Sequence, residues 1–268
     1  MIPNVLSIAG SDPSGGAGIQ ADIKAISASG AYAMAALTAL TAQNTRGVAG
    51  VRLVPPEFVA AQIETVFDDV RVDAVKIGMI ATAEIAAAVA EVLARRRPPF
   101  VVLDPVMVAK GGAPLLDPAA VGAVRARLLP LADVVTPNLP EAAALSGGAE
   151  ARTEAEMLAA AEALRAAGAK AVLLKGGHLG GAESPDLLLG PEGAVWLRGA
   201  RIETRNTHGT GCSLSSALAA ELALGRPLAE AARRAKAFVA AGIAASGALS
   251  VGSGHGPIHH FHAFGGAR

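Results

Sequence analysis

Short apolar runs of strand length alternate with longer alanine-rich segments of helical length along the chain. Residues 5–10 read as a buried strand, followed by a polar glycine loop and a helix over about 18–29. Residues 34–43 read as one extended segment. Pro56 opens a helix to about Asp69, since proline's missing N–H is harmless in a first turn. Residues 74–77 predict another buried strand and 82–97 a helix. The run Arg95-Arg96-Arg97-Pro98 closes that helix with positive charge at its negative end and a proline stop.

The pattern repeats: strands over 100–103, 133–136 and 171–174, and helices over 118–129, 140–145 and 153–167. Thr153 and Glu156 have capping-box spacing. Residues 184–204 predict antiparallel strands, and two long helices, 211–224 and 228–246, close the chain. Fully apolar strands alternating with helices predict an α/β fold: a mostly parallel central sheet, helices on both faces and a small antiparallel element. With no linker, repeat or composition break, residues 1–268 are expected to form a single domain.

Composition narrows the function. Lysine plus arginine (23) balance aspartate plus glutamate (23), which argues against a nucleic-acid surface or an anionic membrane. Aromatic residues are 3% of the chain, too few for base stacking on a protein platform. One cysteine excludes a disulfide framework and a cysteine-cluster zinc site. The first basic residue is Lys24, so no signal peptide is expected. The apolar stretch 237–251 is shorter than the about 20 residues of a membrane span. A cytoplasmic protein is the expectation.

Ligands of open α/β sheets sit beyond the carboxyl ends of the strands. There this otherwise apolar chain places Gly10-Ser11-Asp12, Gln43-Asn44, Gly78-Met79, Asp104-Pro105-Val106-Met107, Asn138 with Glu141, and Lys175-Gly176-Gly177-His178. The last is Asn206-Thr207-His208-Gly209-Thr210-Gly211-Cys212, immediately before a long helix. Gly209, Thr210, Gly211 and Cys212 can turn backbone N–H groups toward one point at the positive end of the helix dipole, forming an anion cradle. The plainer alternative is a loop with a Thr or Ser N-cap. Cys212 would have its thiol pKa lowered there, and is a nucleophile, a proton acceptor or a small residue that fits.

The loop from Ser11 to Asp22 is no Walker A loop, because no Lys-Ser/Thr follows its glycines. Gly16-Ala17-Gly18-Ile19-Gln20-Ala21 matches a loose dinucleotide fingerprint, but no acidic residue follows about 20 positions on to hold a ribose. Asp22 is expected on the first helical turn, facing the loop. Asn138 and Glu141 either hold Mg²⁺ through water beside phosphates or form a capping box. Lys175, one of six lysines, is a phosphate contact or a solvated strand end. His255, His259, His260 and His262 crowd the tail without a nearby carboxylate, a weak metal signal.

In this order the motifs resemble the ribokinase-like superfamily and, within it, the hydroxymethylpyrimidine/phosphomethylpyrimidine kinase family of thiamine biosynthesis. The resemblance runs from Ile8-Ala9-Gly10-Ser11-Asp12 through Lys76-Ile77-Gly78-Met79 and His208-Gly209-Thr210-Gly211-Cys212 to the tail Gly254-His255-Gly256-Pro257. It implies two successive ATP-dependent phosphorylations of 4-amino-5-hydroxymethyl-2-methylpyrimidine. Gln43 would pair with the ring's amino edge, Met79, Val106 and Gly10 would lie against the ring, and Asp22 would hold the hydroxymethyl group. The cradle and Cys212 would serve the transferring phosphoryl group, with Lys175, Thr207, Asn138 and Glu141 on nucleotide phosphates and Mg²⁺. A homodimer is implied as well. The alternatives are a pyridoxal kinase of the same superfamily, a non-catalytic dinucleotide- or phosphate-binding regulator, and a metal protein using the histidine tail.

Overall fold

The computed structural model describes residues 1–108, 112, 115–117 and 119–264. The apolar runs become strands β1 (Asn4–Ala9), β2 (Tyr32–Leu37), β3 (Ala39–Asn44), β4 (Gly47–Leu53), β5 (Ala74–Ile77) and β6 (Val101–Leu103). Four more follow: β7 (Val134–Val135), β8 (Val172–Lys175), β9 (Asp186–Gly190) and β10 (Gly193–Leu197). The helices are α1 (Gly18–Ala28), α2 (Pro56–Asp69), α3 (Ala83–Arg96), α4 (Ala120–Ala123), α5 (Leu139–Ser146), α6 (Glu154–Ala166), α7 (Thr210–Ala223) and α8 (Leu228–Ala244).

Eight strands form one sheet in the order β10-β9-β8-β7-β6-β5-β1-β2, and β3 with β4 forms a separate hairpin. The pairs from β2 through to β8 are parallel, and β9 and β10 are antiparallel. Chain order reverses between β1 and β5, the switch point at which such sheets open a crevice.

Alternation along each strand sorts the side chains into two cores. Leu6, Val75, Leu103, Val135 and Leu174 pack with α2, α3, α5 and α6. Their neighbours Val5, Ala74, Val102, Val134 and Leu173 pack with α7 and α8 on the other face. Helices therefore cover both faces, as the apolar runs predict. No described helix is long and apolar enough to cross a membrane.

Three expectations need correction. The extended segment over 34–43 is two strands that part at Thr38, whose hydroxyl donates to Met79 O at 2.6 Å. The second of them, β3, leaves the main sheet to pair with β4, a strand the sequence pattern does not announce. The helix expected over 118–129 is irregular, and its expected start, Pro118, lies outside the described residues. α4 ends at Ala123 and runs into a wide π-helical turn over Val124–Leu128 and a tight 3-10 turn over Leu129–Leu131. Pro130 has no N–H to continue the ladder, so the last turns must rewind. The Thr153 cap forms on Glu156 N–H at 3.2 Å, but the Glu156 carboxylate takes Arg152 N–H instead, so the capping box is half made.

Candidate active site

On the face covered by α7 and α8, strand residues turn polar toward their carboxyl ends. Two positions beyond Val5, Ala74, Val102, Val134 and Leu173 come Ser7, Lys76, Asp104, Thr136 and Lys175. The first four are buried. They meet Asp22 from α1 and Ser215 and Ser216 from α7. Asp22 Oδ1 accepts from Lys76 Nζ at 2.9 Å and Ser216 Oγ at 2.8 Å; Oδ2 accepts from Ser7 Oγ at 2.6 Å and Lys76 Nζ at 2.9 Å. Asp104 accepts from Lys175 Nζ at 3.0 Å and from Thr136 and Ser215 at 3.2 Å. Lys175 Nζ also lies 3.8 Å from Glu141 Oε2.

These contacts fix the charge states. Burial alone would lower the pKa of Lys76, but Asp22, then Cys212 and Asp104, raise it above the usual lysine value. Lys175 is likewise raised, with Asp104 and Glu141 overcoming burial. Burial would raise Asp104, and Lys175 and Lys76 hold it below the usual carboxylate range. Glu141 is pushed up, chiefly by burial.

At the top of this polar layer α7 begins. Its cap is Gly209, in the left-handed region at φ 76°, and among the described residues no side chain caps it. By contrast Thr82, Asn138 and Thr153 cap α3, α5 and α6. First-turn amides have no intrahelical acceptor; Thr210 N–H donates back to Thr207 O at 3.4 Å, and the N–H groups of Gly211 and Cys212 are suited to an anion. Lys175 stands beside them, its Nζ 3.2 Å from where a Cβ on Gly211 would sit.

The glycine loop after β1 braces this start. A Cβ on Gly209 would overlap Gly16 O, and one on Gly16 would overlap the His208 ring. Asp12 accepts from His208 Nε2 at 2.7 Å, Ser14 N at 2.9 Å, Ser14 Oγ at 2.7 Å and Ala17 N at 2.8 Å. Burial would raise the Asp12 pKa, but the His208 and Ser14 contacts hold it below the usual carboxylate value. Both loops are thus parts of one wall.

Cys212 departs from expectation. Burial pushes its thiol up to about 11, with Asp22 and Asp104 adding to the rise, and neither Lys76 nor the Gly18 N–H offsets it. The helix terminus is outweighed, and the sulfur is a thiol at neutral pH. Alkylation by iodoacetamide is therefore expected to accelerate up to about pH 11; an inflection below pH 8 would contradict this electrostatic picture.

Gly10, Met79 and Val106 come together. Ala39, Met79 and Ala81 form a small apolar cluster with Val51, Val106 and Leu115 packed on it. A Cβ on Gly10 would sit 2.7 Å from Met79 Sδ, so only glycine lets the thioether lie across the end of β1. Gln43 is on β3, the strand that leads out of this cluster, beside a bulge between Ala42 and Gln43. Its Oε1 accepts from Thr41 Oγ1 at 3.3 Å.

Other expected residues are placed differently. Asp22 lies beyond the first turn of α1, fully buried, with both carboxylate oxygens occupied. Asn138 and Glu141 form a true capping box: Glu141 N donates to Asn138 Oδ1 at 2.9 Å and Asn138 N to Glu141 Oε2 at 2.7 Å. Thr207 offers its carbonyl to the Thr210 hydroxyl at 3.1 Å. In the tail, His260 is buried 2.9 Å from Ser213 Oγ, and burial lowers its pKa to about 4. No three His, Cys, Asp or Glu side chains come together as a metal cage among the described residues.

The sequence reading missed the roles of Lys76, Asp104, Asp12, Ser215 and Ser216. For Lys76 and Asp104 the available signal was parity, a polar residue two positions after an apolar one on strand after strand; Asp12, in a loop, and Ser215 and Ser216, on α7, carried no such signal.

The doubly covered sheet superposes on solved kinases. The crystal structure of phosphomethylpyrimidine kinase from Clostridium difficile superposes with a TM-score of 0.79 at 42% identity, covering 89% of this chain and 98% of that one. The pyridoxal kinase from Staphylococcus aureus, in complex with AMP-PCP and pyridoxal, superposes with a TM-score of 0.89 at 35% identity, covering 97% and 94%. The protein is a phosphotransferase of the ribokinase-like class. A family model described as phosphomethylpyrimidine kinase matches residues 12–259. The hydroxymethylpyrimidine/phosphomethylpyrimidine kinase of Salmonella typhimurium is 56% identical over 261 residues, 97% of this chain and 98% of that protein. The chain belongs to the phosphomethylpyrimidine kinase family.

Proposed function

We propose that this kinase of thiamine biosynthesis uses ATP to convert 4-amino-5-hydroxymethyl-2-methylpyrimidine to its monophosphate and then to its diphosphate. The supporting observation is the uncapped start of α7 with the Lys175 cation beside it, a site built for a transferring phosphoryl group.

The Gln43 amide offers one donor and one acceptor, matching the amino group and adjacent ring nitrogen of the pyrimidine. Met79, Val106 and the bare backbone of Gly10 provide an aliphatic and sulfur surface for the ring, in a chain with few aromatic residues to stack on it. In the first step the hydroxymethyl oxygen bonds to the terminal phosphorus, the bond to the bridging oxygen of ADP breaks, and the hydroxyl proton passes to solvent. The amides from Gly209 to Cys212 and the Lys175 ammonium meet charge on the transferring group. Cys212, a neutral thiol, contributes its backbone N–H to the cradle rather than a base. In the second step the attacking oxygen belongs to an ionised phosphate and needs no base.

Thr207 and Lys175 would flank the nucleotide phosphates. Mg²⁺ at nucleotide sites needs only one or two carboxylates together with phosphates, and Glu141, beside Lys175, fits that role. The Asn138 amide, committed to the cap, would orient Glu141. Bound there, the ion would neutralise phosphate charge. Asp22 takes a different part from the one first expected, anchoring Lys76 beneath the cradle instead of gripping substrate. A single folded domain, a homodimer and a cytoplasmic setting, where ATP and a free thiol are at home, belong to the same proposal.

Similarity to the pyridoxal kinase supports a second reading, in which pyridoxal is the better acceptor. An ATP-consumption assay with both acceptors, resolving mono- and diphosphate, separates them. The pyrimidine is expected to show the higher kcat/KM and two products; a dominant pyridoxal rate would reverse the assignment.

A further inference from the structure

The tail motif Gly254-His255-Gly256-Pro257 has no part in the chemistry above, yet it touches both halves of the site. At one end, Gly254 N–H donates to Thr45 Oγ1 at 3.2 Å and His255 N–H to Thr45 O at 2.9 Å. Thr45 is at the tip of the β3–β4 hairpin, two residues beyond Gln43, and is buried there. A Cβ on Gly254 would overlap Thr45 O, and one on Gly252 would overlap the Thr45 side chain. At the other end, Gly256 O accepts His208 N–H at 3.0 Å and Pro257 bridges to His208. A Cβ on Gly256 would overlap Asn206 Oδ1. Residues 252–257 therefore cross, backbone against backbone, from the hairpin tip to the loop that ends in Gly209.

A two-stranded hairpin is marginal by itself, and among the described residues β3–β4 pairs with no other strand. Untied, it would sample many positions, and ordering it would be charged against substrate binding. We propose that Thr45 is a positioning residue. Pinned by the strap 252–257, it holds Gln43 in register with the cradle, so that a pyrimidine gripped by its ring edge presents its hydroxymethyl group to the α7 amides. The inference rests on the reading of Gln43 as the ring-edge contact.

Gly254→Ala is the informative wedge, because Gly254 does not have a positive φ and the three atoms nearest the new methyl all belong to the hairpin tip, Thr45 and Arg46. The full-length enzyme is assayed as Gly254→Ala, Gln43→Ala and the double variant, with KM for the pyrimidine and for ATP and a thermal unfolding midpoint. Gly254→Ala is expected to raise the pyrimidine KM about tenfold, the cost of one good hydrogen bond, leave the ATP KM unchanged and add nothing in the Gln43→Ala background. Thr45→Val, which removes only the Oγ1 acceptor, is expected to move KM the same way by about threefold. An unchanged pyrimidine KM in Gly254→Ala, or effects that multiply in the double variant, overturns the proposal. A merely structural strap would lower the midpoint and act equally in both backgrounds. If Gln43→Ala alone leaves KM unchanged, the Gln43 reading falls. The positioning role falls with it, whereas a raised KM in Gln43→Ala beside an unchanged one in Gly254→Ala overturns the strap alone.

Discussion

Lys76→Met is expected to cost about 3–5 kcal/mol of stability, the range for removing one partner of a buried ion pair. Lys76 and Asp22 are both fully buried, 2.9 Å apart. Methionine fills most of the space but leaves a carboxylate without its cation, facing only the Ser7 and Ser216 hydroxyls. Urea denaturation of the purified variant reads the loss, and a value below about 1 kcal/mol would show the pair to be dispensable. Asp22→Leu combined with Lys76→Met should recover part of the loss, because two apolar groups need no mutual compensation. Recovery stays partial, since both serine hydroxyls lose their acceptor.

Lys175→Met is expected to lower kcat by about 10²–10³, comparable with removing a donor from an oxyanion hole. Lys175 is the cation beside Gly211, and its raised pKa keeps it charged throughout the working pH range. The pyrimidine KM should change little, because the Met79 cluster and Gln43 form without Lys175. Steady-state kinetics split the two constants. A tenfold or smaller fall in kcat would move the burden to the amides alone. Some stability will go as well, since Asp104 keeps Thr136 and Ser215 but loses its closest charge.

Much of the fold was legible because its strands are apolar on both faces and its helices carry clear ends. Pro56 starts α2, Thr82 caps α3, and Asn138 with Glu141 caps α5. Elements governed by partners distant in sequence were not legible. The break at Thr38 depends on a hydrogen bond to Met79, 41 residues away, and β4 forms because β3 offers it an edge. The same division holds in the site. The α7 cradle was visible as glycines before a helix, and Gly10, Met79 and Val106 as strand ends. Asp22 was expected on the first turn of its helix and lies beyond it, where its three donors come from β1, β5 and α7, neighbours that position along a helix does not reveal. Cys212 misled for the opposite reason. A helix terminus was read in isolation, while burial, with Asp22 and Asp104 adding to it, decides the thiol's charge.

The run of ten buried residues in α7, from Ser213 to Leu222, has a consequence for turnover. Opening a helix enclosed to that degree costs nearly as much as unfolding the molecule, whereas a partly exposed hairpin can open for far less. The amides proposed to meet the phosphoryl group are therefore held on an element that stays closed through each cycle. Gln43, by contrast, is carried by β3–β4, whose residues are mostly exposed or partly exposed and whose tip is tied to the strap 252–257. Phosphoryl handling and acceptor grip thus rest on different grades of local stability, and backbone amide exchange should be slowest in α7 and faster in the hairpin.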